Sequence, residues 1–373
     1  MPESDIPAQP TNGNYSSDPG VEVYAVYGAE PEIQAYAMAK YSRSALSMKE
    51  SLKEISQQKA EKFLNTFYFQ YGHRSIADLA HIALAVEKLS ILAAIAVADE
   101  QRWDGQERST RYQDFKKSGY YTPEFGEDQD AAALYTKTIS DLFTQYESFS
   151  ERMALYLASI VPKPEEMKQD AYERTLRARA FDISRYLLPL ATNTSLGEIV
   201  NARTLETQVS HLLSHTHKEV RHLGELLKRA ATSPAYNASE PGLRKVVNQI
   251  RAFSPELGAD IERELLRDVR VAPTLVKYAD PNPYEIESRR ELREAAQQLM
   301  KGQRVDAAPL VDLQDEDDLE VELATTLLYE HCHYSYRQIR QIIGSGSEQR
   351  RREIIDMGLH HRGKHDEMLR AFC

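Results

Sequence analysis

Apolar and polar positions follow two rhythms along this chain, and the switches between them mark its elements. VEVYAVYGA, residues 21–29, is β-branched and aromatic and contains a late glycine, which predicts a strand. From Glu32 to about Tyr71 apolar positions recur every three or four residues, at Ile33, Tyr36 and Ala37 and then at Leu52, Ile55, Phe63, Leu64 and Phe67. That spacing predicts two helices broken near 42–47. Gly72-His73-Arg74-Ser75 follows as a turn, in which the glycine can take positive φ and Ser75 can cap the next helix, with Asp78 at capping-box spacing. HIALAVEKLS fits either period. We read it as a strand over about 81–90, leading into a helix to about Ala98.

Residues 130–162 and 165–188 carry amphipathic helical patterns that stop near Pro162 and Pro164 and near Pro189. A further helix is expected after Thr194 or Ser195, running with interruptions to Ala231. The cluster of Pro, Ser, Asn and Gly over 231–242 predicts a domain boundary. Beyond it lie helical stretches, a strand candidate at VAPTLVKY (271–278) and the acidic QDEDDLEVE. VDLQDEDDLEVELATTLLYEH (311–331) can be laid over VYAVYGAEPEIQAYAMAKYSR (23–43), and RGKHDEMLRAF over YGHRSIADLAH. The expected organisation is a disordered leader over 1–20, a domain over 21–232, a linker and helical segment over 233–310 and a partial second copy over 311–373.

Composition narrows the class. The chain has 373 residues, 42% apolar and 28% charged, as in ordinary globular domains. Its net charge of -11 argues against broad adhesion to nucleic acid or anionic membrane, so neither is expected as a partner. Cys332 and Cys373 alone cannot build a disulfide framework or a Cys-rich zinc site, which fits a reducing cytoplasm. The first twenty residues lack a basic segment followed by an apolar one, so no secretion signal is read. The apolar run Ile76–Ala98 carries Asp78, His81, Glu87 and Lys88 and reads as core, not as a membrane span.

Several clusters could carry chemistry. In EQRWDGQERSTRYQDF (100–115), extended backbone would put Glu107, Ser109 and Arg111 in one row, and Arg102, Arg108 and Arg111 could meet a phosphate bidentately. The alternative is a solvated loop, since Asp99, Glu100, Asp104 and Glu107 balance the arginines. The Gly72–Ser75 turn offers N–H groups, a hydroxyl and a cation suited to phosphate, or a plain helix cap. VNART places Asn201 and Arg203 one residue apart. On one helix, His211, His215 and His222 would fall within about 40° of each other and could hold zinc or iron. No HExxH or carboxylate is placed beside them, and polar packing is the alternative. His331, Cys332 and His333 are neighbours that do not converge, and His360, His361 and His365 read as surface residues. No P-loop, strand-linked GxGxxG or GxSxG occurs.

Taken in order, these pieces resemble the flavin-dependent thymidylate synthases. VEVYAVYGA is similar to that family's opening, YGHRSIADLAH to its Gly-His-x-Ser/Thr-x-x-Glu-His element, and GQERSTRYQDF to its Glu-x-Ser-x-Arg-Tyr stretch. RYLLPL and VNARTLE resemble its Arg-x-x-Leu-Pro-Leu and Asn-Ala-Arg elements. The likeness covers about 21–232. It implies an α+β fold, an antiparallel sheet surrounded by helices, here with a mainly helical C-terminal segment. It also implies a homotetramer with sites between subunits, FAD as cofactor, and reductive methylation of dUMP to dTMP using methylenetetrahydrofolate and NADPH. By the same resemblance His73, Ser75, Asp78, Glu107, Asn201 and Arg203 would face FAD, and Ser109, Arg111 and Arg185 would face dUMP; no catalytic residue and no metal ligand is assigned.

The sequence departs from the family at its Arg-His-Arg signature, where Asp99, Glu100 and Gln101 stand. Ala96 replaces a glutamine, Leu212 an arginine, and Asp78 a glutamate. Acids in place of cations would repel a flavin diphosphate. Further readings therefore stay open beside methyl transfer: a partner chain that completes the site, a non-catalytic scaffold or regulatory paralogue, and a helical His-rich metal-binding protein.

Overall fold

The computed structural model describes residues 15–18, 21–23, 28–40, 52, 74–115, 118–307, 309, 311–313, 318–364 and 366–372. In chain order the N-terminal elements are β1 (Tyr15–Asp18), β2 (Val21–Val23), α1 (Pro31–Lys40), a 3-10 helix over Arg74–Leu79, β3 (His81–Ser90), α2 (Ile91–Ala98) and β4 (Trp103–Glu107). The middle holds α3 (Gln129–Ile160), α4 (Gln169–Ser184), a 3-10 turn Arg185–Leu187, β5 (Asn193–Asn201), α5 (Ala202–Leu213) and α6 (Lys218–Thr232). After it come α7 (Glu240–Phe253), α8 (Pro255–Leu265), α9 (Pro283–Leu299), α10 (Leu319–Tyr329), α11 (Tyr336–Ser345) and α12 (Glu348–Met357). The α+β expectation is met: helices predominate, with small antiparallel pairings. No described helix is long and apolar enough to cross a membrane.

The chain divides into two units that interleave along the sequence: Met1–Ile82, Asn201–Arg203 and Ala231–Leu275 form one, and Ala83–Val200, Thr204–Ala230 and Val276–Cys373 the other. In the first unit β1 pairs antiparallel with β2, so part of the expected leader is a strand. Pro31 starts α1, where its missing N–H costs nothing. Buried Glu32 accepts from the Thr274 and Leu275 amides at 2.8 and 2.7 Å. These amides thus go to a side chain, and VAPTLVKY forms a buried turn in place of the expected strand. Helices α7 and α8 form a hairpin so close that a Cβ on Gly258 would lie 2.6 Å from the Arg251 side chain.

In the second unit the sheet order is β3-β5-β4, with Trp103 opposite Val200 and Glu107 opposite Leu196. HIALAVEKLS is the expected strand, and buried Ser90 ends it by capping α2, its hydroxyl accepting from the Ala93 amide at 3.0 Å. The helix expected from Thr194 or Ser195 starts later, because Asn193–Asn201 is strand β5. Thr194, Leu196, Glu198 and Val200 are buried in alternation, the period of two that a half-covered strand requires. Helices α3 and α4 form a hairpin locked by a 2.6 Å hydrogen bond between buried Ser150 and Ser184. The C-terminal helices share a core of Leu292, Val321, Leu327, Leu328, Ile339, Ile343 and Ile354. The second N-terminal helix expected before Tyr71 falls outside the described residues, as do Gly72, His73, His365 and Cys373.

Candidate functional site

Strand β4 ends at Glu107, and the row expected of Glu107, Ser109 and Arg111 ends there too. Ser109 turns the chain: its hydroxyl accepts from the Arg111 amide at 3.2 Å and its carbonyl from the Gln113 amide at 3.1 Å. Such local bonds outcompete an extended ladder. Arg108 is committed to this turn, donating to Ser118 Oγ at 3.0 Å and the Asp114 carbonyl at 2.9 Å and lying 4.1 Å over the Phe115 ring. Arg102 instead faces Glu367 at 3.6 Å. Of the three arginines considered for a phosphate, Arg111 shares a carboxylate with Arg185.

Arg111 and Arg185 meet at Asp182, a residue in none of the motifs singled out above. Helix α4 ends at Ser184, and the 3-10 turn that follows, stopped before Pro189, presents Arg185 beside Asp182 one turn earlier. Asp182 Oδ1 lies 3.0 Å from Arg185 Nη2 and 3.3 Å from Arg111 Nε. That oxygen is buried, and neither approach is aligned as a hydrogen bond, so charge alone holds it. Thr110 Oγ1 accepts from Arg185 Nη1 at 3.5 Å. Two half-exposed guanidiniums with donors to spare suit an oxyanion with more lone pairs than one carboxylate oxygen.

In the first unit the structure brings Asp78 and Arg203 together: Arg203 Nη1 donates to Asp78 Oδ2 at 3.1 Å, with both side chains about one-third exposed. The Ala202 amide donates to the Ala80 carbonyl at 2.8 Å, which holds the Asn201–Arg203 backbone against the end of the Arg74–Leu79 turn. Ser75 is exposed on that turn, and Asn201 is half-buried. His73 lies outside the described residues. Glu107 is exposed and belongs to the second unit.

The acids at Asp99 and Glu100 are neutralised from the C-terminal segment. Arg370 Nη1 lies 2.6 Å from Asp99 Oδ2 and also donates to the Asp99 carbonyl, while its Nη2 is 3.8 Å from Glu100 Oε2. Glu100 is buried; its Oε1 accepts from the Gln101 amide at 3.0 Å. His211 bridges the neighbouring carboxylates, 3.1 Å from Glu285 and 4.0 Å from Glu100. Burial raises the Glu198 carboxyl, a hydrogen bond from Gln208 opposes the rise, and Glu100 adds to it.

The three-histidine face does not form. Helix α5 ends at Leu213 and α6 begins at Lys218, and the break turns the imidazoles apart. His211 serves Glu285, His215 Nδ1 accepts from the His217 amide at 3.1 Å, and His222 pairs with Glu225 at 3.2 Å. Among the described residues these three are not within metal-binding reach of one another. His215 lines a cavity of about 280 Å³ with Arg221, Arg289, Arg290 and Arg293. Burial, with His217, Arg289 and Arg221, pushes its pKa down to about 4.

Residues 24–234 match the model of the thymidylate synthase complementing protein family. A UPF0159 protein of Chlamydia muridarum is 29% identical over 302 residues, covering 70% of this chain and 55% of the relative. A flavin-dependent thymidylate synthase of Clostridium tetani is 25% identical over 194 residues, 52% of this chain and 74% of the relative. The chain spans about half the length of the UPF0159 relatives it matches. Thymidylate synthase X of Helicobacter pylori, solved with FAD and dUMP, superposes with a TM-score of 0.36 at 16% identity, covering 54% of this chain and 88% of that one.

Proposed function

Since this chain belongs to the thymidylate synthase complementing protein family, we propose that it binds FAD and dUMP and reductively methylates dUMP to dTMP, with methylenetetrahydrofolate as one-carbon donor and NADPH as reductant. The observation that carries this reading is the approach of Arg111 and Arg185 to one carboxylate oxygen. In the bound state the nucleotide phosphate takes the guanidinium donors, with Ser109 and Thr110 hydroxyls beside them. Asp182 then keeps the two cations close together in the free protein.

FAD, when bound, supplies the hydride that turns a transferred one-carbon unit into a methyl group. The donor set of the first unit fits such a dinucleotide: the Ser75 hydroxyl, the Asn201 amide and the Arg203 guanidinium suit phosphate and ribose oxygens. His73 and Glu107 are FAD candidates on the family resemblance alone. Asp78 orients Arg203 through the 3.1 Å contact. The working form is taken as a cytoplasmic homo-oligomer, a tetramer on the family pattern. The chain from 311 onward is read as the start of a second copy. Helix α10 supports that, since it begins at Leu319, the position laid over Pro31, where α1 begins.

One observation favours a non-catalytic scaffold as a second reading: Arg370 already occupies Asp99 and Glu100, where cations would face a cofactor. The visible absorption spectrum of purified protein, before and after FAD is added and the excess removed, separates the two. Retained flavin bands that bleach with NADPH and recover on adding dUMP and methylenetetrahydrofolate support methylation. A folded, colourless protein that takes up no flavin removes it in favour of the scaffold.

A further inference from the structure

Away from the nucleotide and flavin residues, Glu291 on α9 faces His360 and His361 in the turn after α12. His361 Nε2 is 3.0 Å from Glu291 Oε1 and His360 Nε2 is 3.3 Å from Glu291 Oε2. The three potential ligand atoms lie within 4.8 Å of one another. The side chains are 24%, 38% and 31% exposed for Glu291, His360 and His361, so solvent reaches the cluster without filling it.

Hydrogen bonding sets the tautomer of one ring. His360 Nδ1 lies 2.8 Å from the Asp356 carbonyl, which can only accept, so Nδ1 carries the proton. In the neutral ring Nε2 is then a bare lone pair aimed at a carboxylate oxygen. Glu291 turns both carboxylate oxygens to imidazole nitrogens, Oε1 to His361 and Oε2 to His360. Lone pair facing lone pair is relieved by protonating the ring or by a cation between the two. A single divalent ion satisfies both nitrogens and the carboxylate at once. Ligand bonds of about 2.0–2.1 Å in a tetrahedron put donors about 3.3 Å apart, close to the two nitrogen–oxygen separations seen. A ring N–H given to a backbone carbonyl is the usual support of a metal-bound imidazole. Arg290, 3.6 Å from Glu291 Oε1, is the competing cation.

We propose that Glu291, His360 and His361 bind one zinc-class divalent cation, with water in the fourth position, and so tie α9 to the turn after α12. Two imidazole nitrogens and one carboxylate select borderline metals over magnesium or calcium. This site is independent of the methylation reading.

The full chain, made without a histidine tag and stripped with a chelator, is titrated with cobalt chloride and then zinc chloride. We expect one equivalent of cobalt to give visible ligand-field bands that one equivalent of zinc abolishes. His360→Ala, His361→Ala and Glu291→Gln each weaken zinc binding by about tenfold or more in calorimetry. Glu291→Gln keeps shape and hydrogen-bonding capacity, so it carries the test even where an alanine variant fails to fold by circular dichroism. No stoichiometric metal in the wild type, or unchanged affinity in the folded variants, overturns the site.

Discussion

Asp182 Oδ1 stands 3.0 Å from Arg185 Nη2, buried but without hydrogen-bond alignment, and Arg111 Nε closes on the same oxygen at 3.3 Å. A carboxylate held this way stores two cations for a better-matched anion. Arg185→Ala is expected to raise the dUMP dissociation constant about tenfold, the loss of a charge-assisted hydrogen bond. Arg111→Ala should cost less, since its side chain is 54% exposed against 34% for Arg185. The double variant should fall short of the sum, because the two share one partner. Asp182→Asn removes the competing charge and should tighten binding. Calorimetric titration with dUMP measures all four; equal affinity in wild type and both arginine variants would remove this pocket from the proposed site.

Arg370 reaches a buried carboxylate, Glu100, and an exposed one, Asp99. Arg370→Ala leaves Glu100 facing His211, 4.0 Å away, among the described residues. The Arg370 side chain is 35% exposed, so screening limits the loss to about 1 kcal/mol. Glu100→Gln should recover most of it. A urea-denaturation double-mutant cycle reads the coupling, and additive losses would mean that Arg370 does not stabilise Glu100.

Where one rhythm dominated, the sequence was legible. The prolines at 162, 164 and 189 bracketed the amphipathic α3 and α4, whereas HIALAVEKLS fitted either period and its reading as β3 leading into α2 agrees with the structure. TSLGEIVN misled because its apolar residues fit helix as well as strand until the partner strands were present. VAPTLVKY misled because a carboxylate 242 residues away, Glu32, takes its amides. At the candidate site the arginines were legible as charge-rich motifs. Asp182 and Arg370 were not: Arg370 acts on carboxylates distant in sequence, and Asp182, though three residues before Arg185, meets Arg111 only in the fold. The histidine face failed on one unmarked break, Ser214–His217, which no proline or glycine announced.

Glu198 is buried in β5, with one oxygen unpaired and the other accepting from Gln208 at 3.3 Å. Burial raises its folded-state pKa, so the native chain holds this proton to higher pH than the unfolded chain does. Stability is therefore lost as pH rises from the usual carboxylate range through the raised value, and the cost persists above it. Glu198→Gln, similar in shape and uncharged, should melt at higher temperature than wild type at pH 7.5, with the gap closing in acid. A gap that stays constant with pH would show that Glu198 is not the titrating group.

His215 and His331 titrate with the opposite sign. Burial pushes both to about 4 from the usual 6.5, reinforced at His215 by His217, Arg289 and Arg221 and at His331 by Arg293 and Arg289. The geometry agrees for His215, whose Nδ1 accepts from the His217 amide and so carries no proton. An unfolded chain binds these protons below pH 6.5, whereas the native chain refuses them until about 4. Stability contributed by the two neutral rings is thus intact above 6.5 and falls as pH drops toward 4. Replacing both by asparagine should flatten the dependence of the urea midpoint on pH between 7 and 5, with each single variant intermediate. Arg289 depresses both imidazoles, so Arg289→Gln should also reduce the acid sensitivity while leaving both rings in place. Unchanged slopes in the double asparagine variant would locate the acid sensitivity in other groups.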